Sequence, residues 1–295
     1  MTSTAAGPDA APGQRFLAQV VDLARYPLDQ PGSPAWHAVA GAARQALRRD
    51  GCCVLRDFVP GQERGAVRRE CESVAGRAYY EERIVNVYNT APDPDPPPDH
   101  PARRTMLRGN AFVARDDIPG GFLIHRLYGS LFFRSFLGAC LGTPVIHPLG
   151  DPLAGLVVNV LLPGREHPWH FDTNEYAVSL VTQEPEGGGV FEYCPGIRSA
   201  AEENLAGVAA VLSGDGGDQV RRLPLRAGDL QLFHGRYSMH RVSRVGGERA
   251  RYSVIFSYCD RPGVVSSPGR TRQLFGRLSE AHETSARVRA DGLLD

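Results

Sequence analysis

The segment GLVVNVLLPGREHPWHFDTNEYAVSLV, residues 155–181, decides how the chain folds. It holds two apolar runs, Leu156–Leu162 and Ala177–Val181, rich in β-branched residues and too short for helices. A Pro163-Gly164 turn and a polar stretch separate them, the usual punctuation of strands. The same rhythm continues outward. Gly189–Tyr193, Val220–Leu225, Asp229–Phe233, His240–Val245 and Tyr252–Tyr258 are predicted strands, divided by Pro185–Gly188, Pro195-Gly196, Ala227-Gly228 and Gly246-Gly247. One predicted helix, Ala200–Leu212, interrupts them. Many short strands with Gly/Pro turns predict a sandwich or barrel.

Upstream of Pro148 the pattern is helical. Trp36–Arg49 (WHAVAGAARQALRR) predicts a helix started by Ser33-Pro34 and ended by Gly51. Cys52–Phe58 is a short predicted strand, and Pro60–Ala78 a second helix with Val67, Cys71 and Val74 on one face. His125–Leu141 predicts a third helix with a broad apolar face. These helices are expected to cover one face of the strands. Residues 1–14 are mostly small and polar and are predicted to be disordered. Residues 91–101 (APDPDPPPDHP) carry six prolines, which excludes a helix or a central strand. This extended, exposed segment is either a lid over a site or a solvated excursion.

Basic and acidic residues balance at 33 each, which argues against a general nucleic-acid binder or a membrane-surface protein. No apolar run approaches the roughly 18 residues that span a bilayer. The N-terminus lacks the basic and apolar regions of a secretory signal, so a cytoplasmic protein is expected. Every basic residue is an arginine, which excludes Schiff-base and pyridoxal-phosphate chemistry and lysine-dependent phosphate loops. Cys52, Cys53, Cys71, Cys140, Cys194 and Cys259 form no C-x-x-C pair, so reduced, buried thiols are expected and not a zinc ribbon.

The densest polar cluster is His167-Pro168-Trp169-His170-Phe171-Asp172. On an extended chain His170 and Asp172 share a face. An imidazole and a carboxylate placed so are two thirds of a 2-His-1-carboxylate triad, which suits non-haem Fe(II). A second histidine, His240, lies on a later predicted strand, followed by Arg251-Tyr252-Ser253. Arg251 and Ser253 share a strand face, and a guanidinium beside a hydroxyl is a good receptor for a carboxylate.

These residues resemble a known family, the Fe(II)- and 2-oxoglutarate-dependent oxygenases. Its pattern is H-x-D/E, a distal His, then an Arg about ten residues on, often as R-x-S. His170, Asp172, His240, Arg251 and Ser253 match it position by position, within a resemblance running roughly from Trp36 to Pro262. The resemblance implies an α+β fold, a double-stranded β-helix (jelly roll) with the N-terminal helices packed on one sheet. It implies a single oxygenase domain over residues 15–295, helical to about 148, with a jelly-roll core at about 149–262. The distal-His and Arg strands should lie in opposite sheets. Fe(II), 2-oxoglutarate and O2 are the implied cofactors. Iron would sit on His170, Asp172 and His240, and 2-oxoglutarate on Arg251 and Ser253. Asn159, on the preceding strand, either adds to that pocket or is satisfied by backbone. His234 competes with His240, but the Arg at comparable spacing from it is Arg244, before the Gly246-Gly247 turn.

The stretches HPWHFDTNEYAVSL, GGVFEYCPGIRS and GRYSMHRVS are similar to a bacterial branch of free-amino-acid hydroxylases and radical halogenases of natural-product pathways. In those halogenases Gly replaces the carboxylate ligand and opens a site for chloride. Asp172 is kept here, so the resemblance implies hydroxylation, desaturation or ring closure of an amino acid or derivative. Candidate substrate contacts are His167, Thr173 and Asp151 for polar groups, and Arg103, Arg104 or Arg108, behind the Pro-rich loop, for a carboxylate. Each also has a plain reading as a surface or structural residue. Trp169 either walls the site or belongs to the core. The expected partner is a small molecule and not nucleic acid or membrane; a homodimer is compatible with this reading. Competing readings are an oxygenase of carrier- or peptide-bound residues and a non-catalytic jelly-roll binding protein.

Overall fold

A computed structural model of the chain describes residues 16–90, 94–143, 145–283 and 293–294. The expected disorder of residues 1–14 lies outside them. The N-terminal part forms helix α1 (Pro34–Asp50), strand β1 (Cys52–Leu55), helix α2 (Arg64–Ala75), strands β2 (Arg83–Val85), β3 (Met106–Arg108) and β4 (Ala111–Val113), and helices α3 (Leu123–Gly129) and α4 (Leu131–Leu141). Strands then dominate: β5 (His147–Pro148), β6 (Leu156–Leu161), β7 (His167–His170), β8 (Ala177–Gln183), β9 (Gly187–Gly188) and β10 (Phe191–Cys194). After helix α5 (Leu205–Ser213) come β11 (Arg221–Leu223), β12 (Leu230–Phe233), β13 (Met239–Val242), β14 (Val245–Gly246), β15 (Arg251–Phe256) and β16 (Tyr258–Cys259). Helices α6 (Pro268–Phe275) and α7 (Glu280–Glu283) follow.

The main strands pair antiparallel into a six-stranded sheet, order β1-β12-β8-β15-β6-β4, and a four-stranded sheet, order β11-β10-β13-β7. Strand alternation divides the residues of the larger sheet between two environments. Leu156, Val158 and Val160 of β6, Val178 and Leu180 of β8, Leu230 and Leu232 of β12, and Val254 and Phe256 of β15 join one core with the helices. There α1 contributes Trp36, Ala40, Ala43 and Leu47, α2 Val67, Cys71 and Val74, and α4 Phe133, Phe136 and Leu137. The helices thus cover one face of one sheet, as expected for the jelly roll. On the other face Leu161 and Phe233 meet Phe191, Tyr193 and Val242 of the smaller sheet, closing the space between the sheets.

Helix α1 begins and ends where predicted. The Ser33 side chain accepts from the Trp36 N–H, and Gly51 takes a left-handed conformation. The predicted helix over 125–141 is instead two helices. Ser130 is extended (φ −71°, ψ 125°) and its hydroxyl caps Phe133, so its capping preference outweighs the apolar pattern. Likewise the insertion helix starts at Leu205 and not at Ala200, because Asn204 caps Gly207. The strand expected over 240–245 splits into β13 and β14, with β14 pairing β9. Of the Pro-rich stretch, residues 91–93 lie outside the described residues; most of 94–99 is exposed, and Pro101 opens a 3-10 turn capped by His100.

Candidate metal and co-substrate site

His170 on β7 and His240 on β13 are directly paired across the smaller sheet. The next registered pair is His167 with Val242, so Pro168 and Trp169 together oppose Arg241 alone. This bulge brings His167 and His170, three residues apart, onto one face. Their rings stack at 3.8 Å with an interplanar angle of 21°. Trp169 therefore points the other way, against Arg241 at 4.8 Å, and does not wall the site.

Asp172 lies beyond the end of β7 and is placed by backbone anchors. Phe171 N–H donates to Val87 O at 3.0 Å, and Asp172 N–H to Gly235 O at 3.0 Å in the turn between β12 and β13. Its Oδ1 sits 3.7 Å from His170 Nε2 and its Oδ2 3.5 Å from His240 Nε2. The three donor atoms lie within 4.8 Å of one another. Both imidazole side chains are buried, whereas Asp172 is 26% exposed, so the cluster opens on the carboxylate side.

The hydrogen bonds fix which nitrogen faces the cluster. His170 Nδ1 contacts Pro168 O at 2.8 Å and His240 Nδ1 contacts Ser238 O at 3.0 Å. A carbonyl only accepts, so each Nδ1 carries a proton and Nε2 is the nitrogen left to face the cluster. Burial, reinforced by His167 and His240, holds His170 well below the usual histidine range, hence neutral. Two imidazoles that turn Nε2 to one point and a carboxylate between them are the donor set of a non-haem Fe(II) site, and these residues fit that ion.

Arg251 and Ser253 extend from β15 on the face away from the helices, with Asn159 of β6 opposite Ser253. Arg251 is 5% exposed and donates to Ser253 Oγ at 3.2 Å. Burial pushes its pKa down to about 10, so it stays charged at neutral pH. Asn159 is buried and accepts from Asn110 Nδ2 at 3.4 Å. The triad and the Arg strand lie in opposite sheets, as expected.

The weaker candidates separate clearly. Arg108 is 2% exposed, and its Nη2 donates to Gln273 O at 2.8 Å. Its Nε and Nη1 find no partner among the described residues. Its charge acts on His167, which burial first and then His240 and Arg108 hold well below the usual histidine range. Arg103 donates to Pro94 O. Arg104 is a correction: it donates to Ser213 Oγ at 2.7 Å and lines a cavity of about 470 Å³ beside Trp169 and Arg241, on the far face of the smaller sheet. Asp151 is the second correction. It is fully buried, Oδ1 accepting from Leu153 and Ala154 N–H and Oδ2 from Ser266 N–H, with His282 Nε2 at 3.0 Å. Both oxygens are engaged in structure, leaving none for substrate. Thr173 is exposed beside Asp172, and its carbonyl accepts from Arg236. His234 packs against Tyr176 and takes no part in the cluster.

Sequence reasoning missed the contribution of α6. Its Ser267-Pro268 start is a readable capping signal. The helix carries Arg270, whose charge acts on His167 and His170, and Gln273, which holds Arg108.

The fold and this donor set define the class, an Fe(II)- and 2-oxoglutarate-dependent oxygenase, an enzyme whose cofactors are Fe(II), 2-oxoglutarate and O2. Residues 36–267 match the family Halogenase D, and the chain belongs to that family. Its fold is shared with a prolyl hydroxylase from Trichoplax adhaerens in complex with a hypoxia inducible factor peptide fragment, at 16% identity and TM-score 0.51, over 76% of this chain and 90% of that one. AviO1 from Streptomyces viridochromogenes Tue57 is similar at 17% identity and TM-score 0.50, over 78% and 98% of the two chains. The epimerase SnoN in complex with Fe3+, alpha ketoglutarate and nogalamycin RO is similar at 15% identity and TM-score 0.50, over 76% and 84%. At these identities the likeness is one of fold. No curated protein matches the sequence. Among the described residues no helix is long and apolar enough to cross a membrane.

Proposed function

We propose that residues 15–295 form one oxygenase domain that oxidises an unactivated C–H bond of a free amino acid or close derivative. The observation that carries this reading is the pairing of the His170, Asp172 and His240 cluster with a buried Arg251–Ser253 receptor in the facing sheet. A protein that only bound a carboxylate could use the Arg251–Ser253 receptor, but it would not need two imidazole nitrogens and a carboxylate converging at one point beside it. When bound, Fe(II) with 2-oxoglutarate and O2 supplies the oxidising power, O2 being split between the hydroxylated product and succinate while CO2 leaves.

The chain's own residues do the rest. His170 and His240 present Nε2 because their Nδ1 protons are committed to backbone carbonyls. Asp172 supplies the charge that balances the metal. Arg251 and Ser253, with Asn159 beside them, receive the distal carboxylate of the co-substrate. Arg108 offers Nε and Nη1 to a substrate carboxylate, with neutral His167 and exposed Thr173 as neighbouring polar contacts. Holding the substrate by one charged end fixes which carbon reaches the metal, and this favours a regiospecific product. The retained Asp172 supports hydroxylation, desaturation or ring closure over halogenation, despite the family's name.

The test is succinate release from the Fe(II)-loaded protein with 2-oxoglutarate, O2 and a panel of free amino acids, with products read by mass spectrometry. A product heavier by one oxygen, or lighter by two hydrogens, supports the reading. Should only carrier-tethered or peptide-bound residues be oxidised, the free-amino-acid claim fails. A chlorinated product would remove the role given to Asp172.

A further inference from the structure

The turn joining β12 to β13 contains Gly235, and this glycine is buried against the Asp172 carboxylate. A Cβ added there would collide with Asp172 Oδ2 and lie 2.6 Å from its Cγ and 2.8 Å from its Cβ. Those are the three nearest atoms, and all belong to Asp172. The demand is for space and not for backbone conformation, since Gly235 is not among the residues with positive φ. The same residue gives its carbonyl to the Asp172 N–H at 3.0 Å. Gly235 therefore meets Asp172 twice, binding its backbone and leaving the volume its carboxylate fills.

The turn is itself held. Arg198 Nε donates to Arg236 O at 2.7 Å, and the Arg198 guanidinium lies 3.8 Å from the Phe171 ring centroid. Arg198 N–H also donates to Tyr237 O at 3.2 Å. One buried arginine thus ties the turn bearing Gly235 to the residue preceding Asp172. Rotating the carboxylate would clear Oδ2 but not Asp172 Cβ, so a side chain at position 235 forces the carboxylate to turn and the chain at Asp172 to move away from the turn. Both movements take Oδ1 and Oδ2 away from His170 Nε2 and His240 Nε2.

We propose that Gly235 is a positioning residue, the empty side-chain position that lets Asp172 point its carboxylate at the two histidines. The proposal rests on the reading of His170, Asp172 and His240 as the metal site. Metal binding by the whole protein, with Co(II) as the probe under nitrogen, is followed by calorimetry and visible absorbance. Gly235→Ala is expected to weaken Co(II) about 10- to 100-fold, the usual effect of losing a group that orients a ligand, and to change the visible spectrum. Thermal melts of Gly235→Ala and Asp172→Gly, alone and combined, are read alongside. In the Asp172→Gly background the added methyl meets no carboxylate, so it should change neither residual Co(II) affinity nor melting temperature. This non-additivity is readable in the melts even where Gly235→Ala folds poorly. Wild-type Co(II) affinity and spectrum in Gly235→Ala would overturn the proposal, as would equal losses in both backgrounds. A wild-type protein that binds no Co(II) would instead bring down the metal reading, and the proposal with it.

Discussion

Replacing Arg251 with methionine should separate co-substrate binding from folding, because the side chain is buried with a charge that no acid among the described residues neutralises. Its hydrogen-bond partner is the Ser253 hydroxyl at 3.2 Å, and no acid among the described residues pairs with it. Burial takes its pKa from 12.5 to about 10, which corresponds to roughly 3–4 kcal/mol of unfavourable desolvation at about 1.4 kcal/mol per tenfold change. A depressed cation pKa means that the unfolded chain holds the proton more tightly, so at neutral pH this charge opposes folding. Removing it should leave the melting temperature of the ligand-free protein unchanged or higher, since methionine keeps most of the packing. Binding should behave in the opposite way. A dicarboxylate co-substrate supplies the missing counter-charge, and losing one partner of such a buried pair costs about 2–5 kcal/mol. At about 1.4 kcal/mol per tenfold, the apparent KM for 2-oxoglutarate should rise from about 30-fold to a few thousand-fold. The lower end is expected, because Ser253 and Asn159 remain. At saturating 2-oxoglutarate kcat should fall much less than KM rises. Arg251→Lys, which keeps charge but loses the fork, should lie between. The assays are succinate formation against 2-oxoglutarate concentration and thermal melts with and without 2-oxoglutarate. A KM within twofold of wild type would refute the argument. So would a fall of many degrees in the ligand-free melting temperature, which would make Arg251 a structural residue.

Three further outcomes are expected. His170→Ala, Asp172→Ala and His240→Ala should each lose turnover and weaken Co(II) binding severely, whereas His234→Ala keeps both; the reverse at 234 and 240 would reassign the distal ligand. Arg108→Met should raise the substrate KM at least about tenfold, the worth of one charge-assisted contact, and leave that for 2-oxoglutarate unchanged, and a rise in both would move Arg108 to the co-substrate pocket. Burial alone would raise the Asp151 pKa, but hydrogen bonds from Ala154, Ser266, Leu153 and His282 outweigh it and hold the carboxyl below its usual value. A carboxyl depressed in the fold stabilises above its unfolded pKa of about 3.9 and loses that contribution as pH falls through the folded value. Asp151→Asn, which leaves buried donors facing an amide, should cost about 1–3 kcal/mol at neutral pH and flatten the acid limb of the melting curve below about pH 4; parallel acid limbs for variant and wild type would contradict this account.

What the sequence reveals of this site depends on whether closeness in the chain survives as closeness in space. Arg251 and Ser253 were readable by strand alternation because β15 runs unbroken through both. His170 and Asp172 come together as expected, but by a different cause. The strand ends at His170, and the carboxylate is brought in by the Gly235 carbonyl. His167 escaped alternation altogether, since its stacking on His170 needs a bulge that the letters HPWH do not announce. Asp151 misled for the opposite reason. It precedes the metal strands closely in sequence, yet its partner His282 comes from the far end of the chain and turns it into a structural anchor. Arg103, Arg104 and Arg108 are chemically equivalent as letters. Three-dimensional placement divides them, because β3 buries Arg108 under α6 while Arg104 faces α5 across the other side of the smaller sheet. Gly235 carries the same lesson furthest. In the string HGRYS it reads as an ordinary turn residue, and no periodicity or charge marks it. Its role is a volume left empty, and emptiness becomes visible only when the atom that fills it, Asp172 Oδ2, has coordinates. Residues that act through charge or donors can be nominated from sequence, whereas those that act by leaving room must be found in the packed structure.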